Sequence, residues 1–284
     1  MTLAELESVR AASAAKLARA KERIAACDSA IVAFSAGVDS TLVLAIAREV
    51  LGDRALALTA HSPSVPASER EEARALAARL GARHLERLSR EQDDPGYVAN
   101  GSDRCYHCKR ELYRLCGEAA HEHGIAAVLD GFNADDRRDH RPGHRAAEEA
   151  LVRSPLAEAG LTKPEVRAWS AAYGLPTWDK PQMACLASRI PYGTPVTPER
   201  LARVERAESA LRALGLRDLR VRHHGDIGRV EIGEEELERA FARRAEIAAA
   251  VKAAGFAIAA LDLEPFRSGR MNALAGIALP VVEG

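Results

Sequence analysis

The sequence predicts an α/β protein: a parallel sheet with helices on both faces, followed by a smaller α+β domain. Three observations carry this. Short apolar runs alternate with amphipathic helical segments through the first two thirds of the chain. Glycines stand just past most of those helices, where a helix needs a left-handed stop. After Pro191-Tyr192-Gly193-Thr194-Pro195 the character changes to a helix followed by short alternating segments. Domains are therefore expected over 1–194 and 195–284.

The elements follow in order. Residues 3–26 carry Glu, Lys and Arg at helical spacing and read as an amphipathic helix. Ile31-Val32-Ala33-Phe34 is a short apolar strand. A helix over 40–51 closes at Gly52, and 55–59 is a second strand. Ser68 with Glu71 forms a capping box for a helix that runs to Leu80 and stops at Gly81. Residues 84–88 are a third strand, 104–123 a helix closed by Gly124, and 127–130 a fourth strand. Thr162 with Glu165 opens another capped helix, ending near Gly174. In the smaller domain Thr197 caps a helix with Pro198 at its first position, which ends before Gly215. Strands over 219–223 and 229–232, a helix over 235–254 and a strand over 256–262 complete it.

Composition bounds the function. The chain has 284 residues, which suits one large plus one smaller domain, and its 47% hydrophobic and 29% charged residues read as soluble and globular. Aromatics are 4%, so the core must rest on Ala, Leu, Val and Ile. Forty basic and 41 acidic residues give a net charge of -1, which gives no reason to expect a nucleic-acid or membrane partner. No apolar run reaches the ~20 residues of a bilayer span, and the first helix lacks the apolar core of a signal peptide. A cytoplasmic protein is expected, with five cysteines serving as thiols or ligands rather than as disulfides.

In open parallel sheets, ligands bind beyond the carboxyl ends of the strands, where the strand order reverses. The loops after the first and fourth strands, 35–40 and 131–136, are the natural pair. Ser35-Ala36-Gly37-Val38-Asp39-Ser40 sits directly between a strand and a helix, with small residues that let backbone N–H groups approach an anion. The Walker A spacing is absent. Asp39 suits Mg²⁺, which prefers oxygen ligands. Gly131, Asn133, Asp135 and Asp136 face this loop, and Ala33 and Thr59 end the neighbouring strands. His61 lines an adenosine pocket or simply serves a turn. Cys105-Tyr106-His107-Cys108 is a C-x-x-C flanked by Arg104, Lys109 and Arg110. Cys185 stands between Lys180 and Arg189, and positive neighbours favour thiolate. Cys27 and Cys116, on helical segments, read as packed thiols. Arg220 and Arg222 alternate along a strand and so share one face. Glu208 and Glu231 are either metal or substrate contacts or plain surface charge. His223 and His224 are adjacent on a strand and point to opposite faces, which argues against joint ligation.

The loop resembles the S-G-G-x-D-S pyrophosphate loop of the N-type ATP pyrophosphatases, with an adenine nucleotide alpha hydrolase-like, Rossmann-like sheet. Ala36 replaces the usual glycine, and positive φ there costs roughly 1 kcal/mol. Further markers are Asp103 to Lys109, Asp130 to Asp136 with Arg141-Pro142-Gly143, Ser154-Pro155-Leu156, Thr162-Lys163, Trp178-Asp179-Lys180-Pro181 and Ala184 to Gly193. Together with Arg220-Val221-Arg222 and Asp262-Leu263-Glu264, they resemble the LarE sulfur transferases over nearly the whole chain. That resemblance implies ATP and Mg²⁺ as reactants. The implied substrate is pyridinium-3,5-biscarboxylic acid mononucleotide, one carboxylate of which is adenylated and then converted to a thiocarboxylate. It implies nucleotide contacts from Ala33, Ser35, Gly37, Val38, Asp39, Ser40, Thr59, Gly131, Asn133 and Asp135, and substrate phosphate on Arg220 and Arg222. Cys185 matches the reactive cysteine, with Lys109, Ser188 and Arg189 as catalytic company. Glu208 and Glu231 stand with Asp39 as Mg²⁺ candidates. Cys105 and Cys108 depart from single-cysteine members. With Cys185 they match relatives that hold a [4Fe-4S] cluster, leaving two sulfur sources, Cys185 itself or a cluster-bound sulfide. The resemblance also implies a homo-oligomer, a hexamer. A tRNA thiolase on the same fold, or a non-catalytic nucleotide-binding protein, are the alternatives.

Overall fold

A computed structural model describes residues 2–138, 142–181 and 184–267. Its elements in chain order are α1 (Leu3–Ala25), β1 (Ala30–Ala33), α2 (Val38–Leu51), β2 (Ala55–His61), α3 (Ala67–Arg79), β3 (Arg83–Leu88), α4 (Pro95–Ala99), α5 (Arg104–His123) and β4 (Ala127–Leu129). Then come α6 (Pro142–Glu149), α7 (Pro155–Ala159), α8 (Lys163–Ala172), α9 (Pro198–Ala213), β5 (Leu219–His224), β6 (Ile227–Ile232), α10 (Leu237–Ala242), α11 (Arg244–Ala253) and β7 (Ile258–Leu261).

The chain divides into two compact units. The first comprises residues 1–62, 67–91 and 105–183. Its sheet has the order β3-β2-β1-β4. Every pairing is parallel, with Ala30 beside both Ala55 and Ala127. Alternation along the strands builds two apolar layers. Ala30, Val32, Ala55 and Ala57 face the cluster that contains Leu17 and Ile24 of α1, Leu42 and Ile46 of α2, and Val166 of α8. Ile31, Ala33, Leu56 and Leu58 face the other cluster, with Tyr113, Cys116 and Ala119 of α5 and Ala146 of α6. Small side chains at Ala30, Ala55 and Ala57 let helices pack closely, as the scarcity of aromatics requires.

Local signals set several boundaries. Thr2 and Glu5 make a reciprocal capping box that starts α1. Thr162 and Glu165 do the same for α8, whose end is followed by Gly174 with φ +65°. Ser68 does not cap α3, because that helix already begins at Ala67, which puts Ser68 inside its first turn. Cys27 lies in the turn beyond α1 rather than on it.

The second unit comprises residues 63–66, 92–104 and 184–284. Its sheet has the order β5-β6-β7, with β5–β6 antiparallel across the Gly225 turn and β6–β7 parallel. Leu219, Val221, Val230 and Ile232 are buried, as are Leu201, Val204 and Leu211 of α9 and Val251 of α11. A Cβ at Gly228 would lie 2.7 Å from Val251, so this face packs directly on α11. The other face carries Arg220, Arg222, Arg229 and Glu231. One helix over 235–254 is not formed. The chain bends at Arg243 (φ −99°, ψ 20°), where the guanidinium reaches the Leu214 carbonyl at the end of α9 at 2.5 Å.

Candidate active site

The loop after β1 is built by its own small residues. Phe34 N–H still donates to the Leu58 carbonyl (2.8 Å), so the strand is held to the edge of the loop. Ser35 and Ser40 hydroxyls lie 3.1 Å apart, and Ser35 Oγ accepts from Gly37 N–H at 3.4 Å. Gly37 is extended at the N-cap of α2, so the first N–H groups of that 14-residue helix open onto the loop. Ala36 has φ +53° and is fully buried, so the conformation that glycine would take freely is imposed on an alanine. Lys180 Nζ donates to the Ala36 carbonyl at 3.3 Å and pairs with Glu72 at 2.7 Å. Arg167 of α8 fixes the segment that delivers Lys180, donating to the Trp178 and Lys180 carbonyls, each at 2.8 Å.

The loop after β4 closes against the first. A Cβ at Gly131 would lie 2.8 Å from Ser40 N and 3.1 Å from Asp39 Cβ. Only a residue without a side chain fits there, and its absence lets the two loops approach closely. Asn133 Nδ2 donates to Asp39 Oδ1 at 3.1 Å, while Lys163 Nζ pairs with Asp39 Oδ2. Lys163 N–H donates to Asp135 Oδ2 at 2.8 Å, and Asp135 N–H to Asn133 Oδ1 at 2.9 Å. Gly131 and Asn133 thus meet Asp39 as the strand order requires, while Asp135 meets Asn133 and the Lys163 backbone. Lys163 is the addition. Its partner Asp39 is 124 positions away, so nothing local announces the pairing.

Other expected nucleotide residues lie nearby in roles of their own. Ala33 and Val38 are buried, one in each apolar cluster. Thr59 Oγ1 donates to the Phe34 carbonyl and lies 2.8 Å from His84 Nε2, tying β2 to the loop. Burial lowers the His84 pKa, which favours the neutral ring against Phe34. His61 Nε2 lies 2.7 Å from the Glu86 carboxylate.

Cys105 and Cys108 sit in the first turns of α5, one turn apart, where i and i+3 share a face. Lys109 Nζ lies over the rings of Tyr113 and Phe132, 5.7 and 5.5 Å from their centroids. None of the five cysteines is in a disulfide. Cys116 is fully buried, and burial pushes its thiol up to about 12. Burial likewise raises Cys27, which accepts from Arg153 at 2.9 Å.

The second unit carries Cys185, which is partly exposed and caps the 3-10 turn Leu186–Arg189. Arg189 is buried at 1% exposure and does not face solvent. Its Nε and Nη2 take both oxygens of Glu208 at 2.9 and 3.1 Å. Its Nη1 donates to the Ala184 and Cys185 carbonyls at 2.5 and 3.0 Å, and to Ser188 Oγ at 3.1 Å. Glu208 also accepts from Arg212 at 3.0 Å and from Val221 N–H at 3.1 Å. Burial opposes its charge, but the Arg189 guanidinium holds its carboxyl below the ordinary range. Glu231 is taken by Arg222 at 2.7 Å and Arg229 at 3.0 Å. Both glutamates therefore sit beneath guanidiniums rather than open to an ion. Among the described residues no three His, Cys, Asp or Glu side chains form a group that could hold a metal. Arg220 has no carboxylate partner among the described residues. It donates to the Leu219 carbonyl at 2.7 Å and lies over Phe266 at 4.7 Å. Burial, then the neighbouring Arg189, lowers its pKa to about 10.

A parallel sheet with a loop of small residues at its switch point, an acidic residue in that loop and no Walker lysine defines a PP-loop protein, which uses ATP. Comparison bears this out: residues 14–230 match the asparagine synthase family. The Synechocystis protein slr1717 is 44% identical over 90% of this chain and 97% of its own length. The pyridinium-3,5-bisthiocarboxylic acid mononucleotide synthase of Lactiplantibacillus plantarum is 40% identical over 85% of this chain and 88% of its own. The Methanocaldococcus jannaschii protein MJ0830 is 30% identical over 60% of this chain and 67% of its own. Within the PP-loop class the chain belongs to the LarE family, and it is an ATP-dependent sulfur-transferring enzyme.

Proposed function

We propose that the chain adenylates a carboxylate of pyridinium-3,5-biscarboxylic acid mononucleotide and converts it to a thiocarboxylate, which accords with the bisthiocarboxylic acid mononucleotide in the name of its Lactiplantibacillus relative. The observation that carries the reading is Gly131, pressed against Ser40 N–H at a distance that admits no side chain. That cradle, at the N-terminus of α2, suits the pyrophosphate of ATP. Mg²⁺ held through Asp39 would offset the charge on the phosphates. Lys163, already on Asp39, would supply a cation to the same anion.

The substrate carboxylate attacks the α-phosphorus of ATP, and pyrophosphate leaves. A sulfur nucleophile then attacks the acyl carbon, and AMP leaves. If Cys185 is that nucleophile, the product is a thioester. Loss of the cysteine Cα proton and cleavage of its Cβ–S bond release the thiocarboxylate and leave dehydroalanine. Cys105 and Cys108 share one helix face and suit iron–sulfur ligation. A [4Fe-4S] cluster on Cys105, Cys108 and Cys185 would supply sulfide from outside the protein and spare Cys185. Arg220 and Arg222 take the substrate phosphate, which suits two guanidiniums. In this reading residues 1–194 handle ATP, residues 195–284 bind substrate, and the chain works as a homo-oligomer, a hexamer.

The test is incubation with Mg-ATP and the biscarboxylate mononucleotide, followed by intact masses of product and protein. Pyrophosphate, AMP and thiocarboxylate are expected. Their absence overturns the reading. A protein mass loss of about one H₂S at Cys185 marks the sacrificial route, whereas turnover with unchanged protein mass and added sulfide marks the cluster route.

A further inference from the structure

We propose that Arg189 and Glu208 are positioning residues that hold the Cys185 peptide for sulfur delivery, and that Arg222 couples this brace to the phosphate of the substrate. Its naming of a phosphate-bearing substrate rests on the function proposed above. The brace itself rests on geometry within the second unit.

Arg189 has every side-chain nitrogen engaged. Two bind Glu208, and the third holds the carbonyls of Ala184 and Cys185 and the hydroxyl of Ser188. A guanidinium so occupied and 1% exposed cannot reach a substrate without releasing the cysteine segment. Its work is to fix the backbone on either side of Cys185. Glu208 is the anchor. It projects from α9 and binds Val221 N–H, the residue between Arg220 and Arg222 on β5. The second link is Arg222, whose Nη1 donates to the Ser188 carbonyl at 3.2 Å while its other nitrogens hold Glu231. The Cys185 turn is therefore tied to the anion-facing strand at two places, through Glu208–Arg189 and through Arg222.

Positive charge gathers around that strand. Arg189, Arg212, Arg222 and Arg229 pair with Glu208, Glu231 and Asp262, and Arg220 adds a fifth guanidinium with no carboxylate partner among the described residues. An arriving phosphate monoester draws on Arg220 and on Arg222. Because Arg222 is the guanidinium that holds the Ser188 carbonyl, phosphate occupancy changes the restraint on Cys185.

The test measures the alkylation rate of Cys185 by iodoacetamide, read on its own peptide by mass spectrometry. It is measured with and without nicotinic acid mononucleotide, a pyridinium mononucleotide whose binding is followed by calorimetry. In the wild type the mononucleotide should shift the rate by about threefold or more. Arg189→Lys keeps the charge but loses the fork, so it should change the basal rate by about threefold and abolish the ligand response, with Kd altered less than about twofold. Arg222→Lys, which leaves the buried Glu208 pair intact, serves where Arg189→Lys fails to fold; it should weaken the Kd, because Arg222 also takes the phosphate, and leave the Cys185 rate unresponsive at saturating mononucleotide. Ligand that binds without changing the Cys185 rate overturns the coupling. An unchanged basal rate in folded Arg189→Lys overturns the brace. Failure of the mononucleotide to bind counts against the phosphate reading, and the basal arm still decides the brace.

Discussion

Ala36 is the residue at which sequence and structure meet most directly. An alanine in place of glycine is legible from the sequence, and so is its cost if φ is positive. The structure supplies the angle, +53°, and the reason it is held: the Lys180 ammonium on its carbonyl and complete burial of its methyl group. A charge-assisted hydrogen bond of about 1.5–3 kcal/mol is enough to offset roughly 1–2 kcal/mol of left-handed strain. Ala36→Gly should therefore raise unfolding stability by about 0.5–1 kcal/mol, seen as a higher urea midpoint with an unchanged slope. A lower midpoint would mean that the alanine methyl contributes more by packing than its backbone costs. Lys180 was legible as a cation near a cysteine motif. Its grip on the Ala36 carbonyl was not, because the two are 144 positions apart.

Among elements, the strands and capped helices were legible because their signals are local. The Thr162–Glu165 box, the Thr197 cap and the alternation that puts Arg220 and Arg222 on one face all stand in the structure. The bend at Arg243 was not legible, since no breaker marks it and a carbonyl on another element holds it. Nor was the seam between α9 and β5, where Glu208 is enclosed by Arg189 from another segment as well as by Arg212 one turn along its own helix. That seam has a pH signature. Glu208 titrates below its ordinary value of 4.5 in the folded chain. The stability it contributes is complete above that value and is lost as pH falls through the depressed one. Urea midpoints taken from about pH 6 down to about pH 3 should fall less steeply in Glu208→Gln than in the wild type, after a lower start at neutral pH. Parallel curves would show that Glu208 carries no linked proton.

Over the whole molecule, the feature that sequence reasoning could not reach is the use of separated segments to build one unit. Residues 92–104 belong with 184–284. The join is made by Asn100, fully buried in a left-handed conformation (φ +55°). Its amide donates to the carbonyls of Ile190, Pro191 and Thr194, and its oxygen accepts from Arg104. Arg104 in turn holds the Ala187 carbonyl at 3.0 Å, inside the turn that Cys185 caps. Asn100→Ala strands several buried polar groups and should destabilise the protein by about 2–3 kcal/mol, read as a lower thermal midpoint. Asn100→Asp keeps the shape and one acceptor but loses the donors, and should be nearly as costly. A midpoint unchanged in both would show that the carbonyls find other partners.

The pairing of Lys163 and Asn133 with Asp39 has a consequence for how nucleotide enters. In the proposed reading Asp39 would meet Mg-ATP already paired with Lys163, so binding would exchange one counter-ion for another rather than dock the nucleotide onto a bare carboxylate. Asp39 would hold the metal, and the released Lys163 ammonium would turn to the phosphates. Charge would be rearranged within the loop rather than added to it, which would let the phosphates settle beside a carboxylate without mutual repulsion.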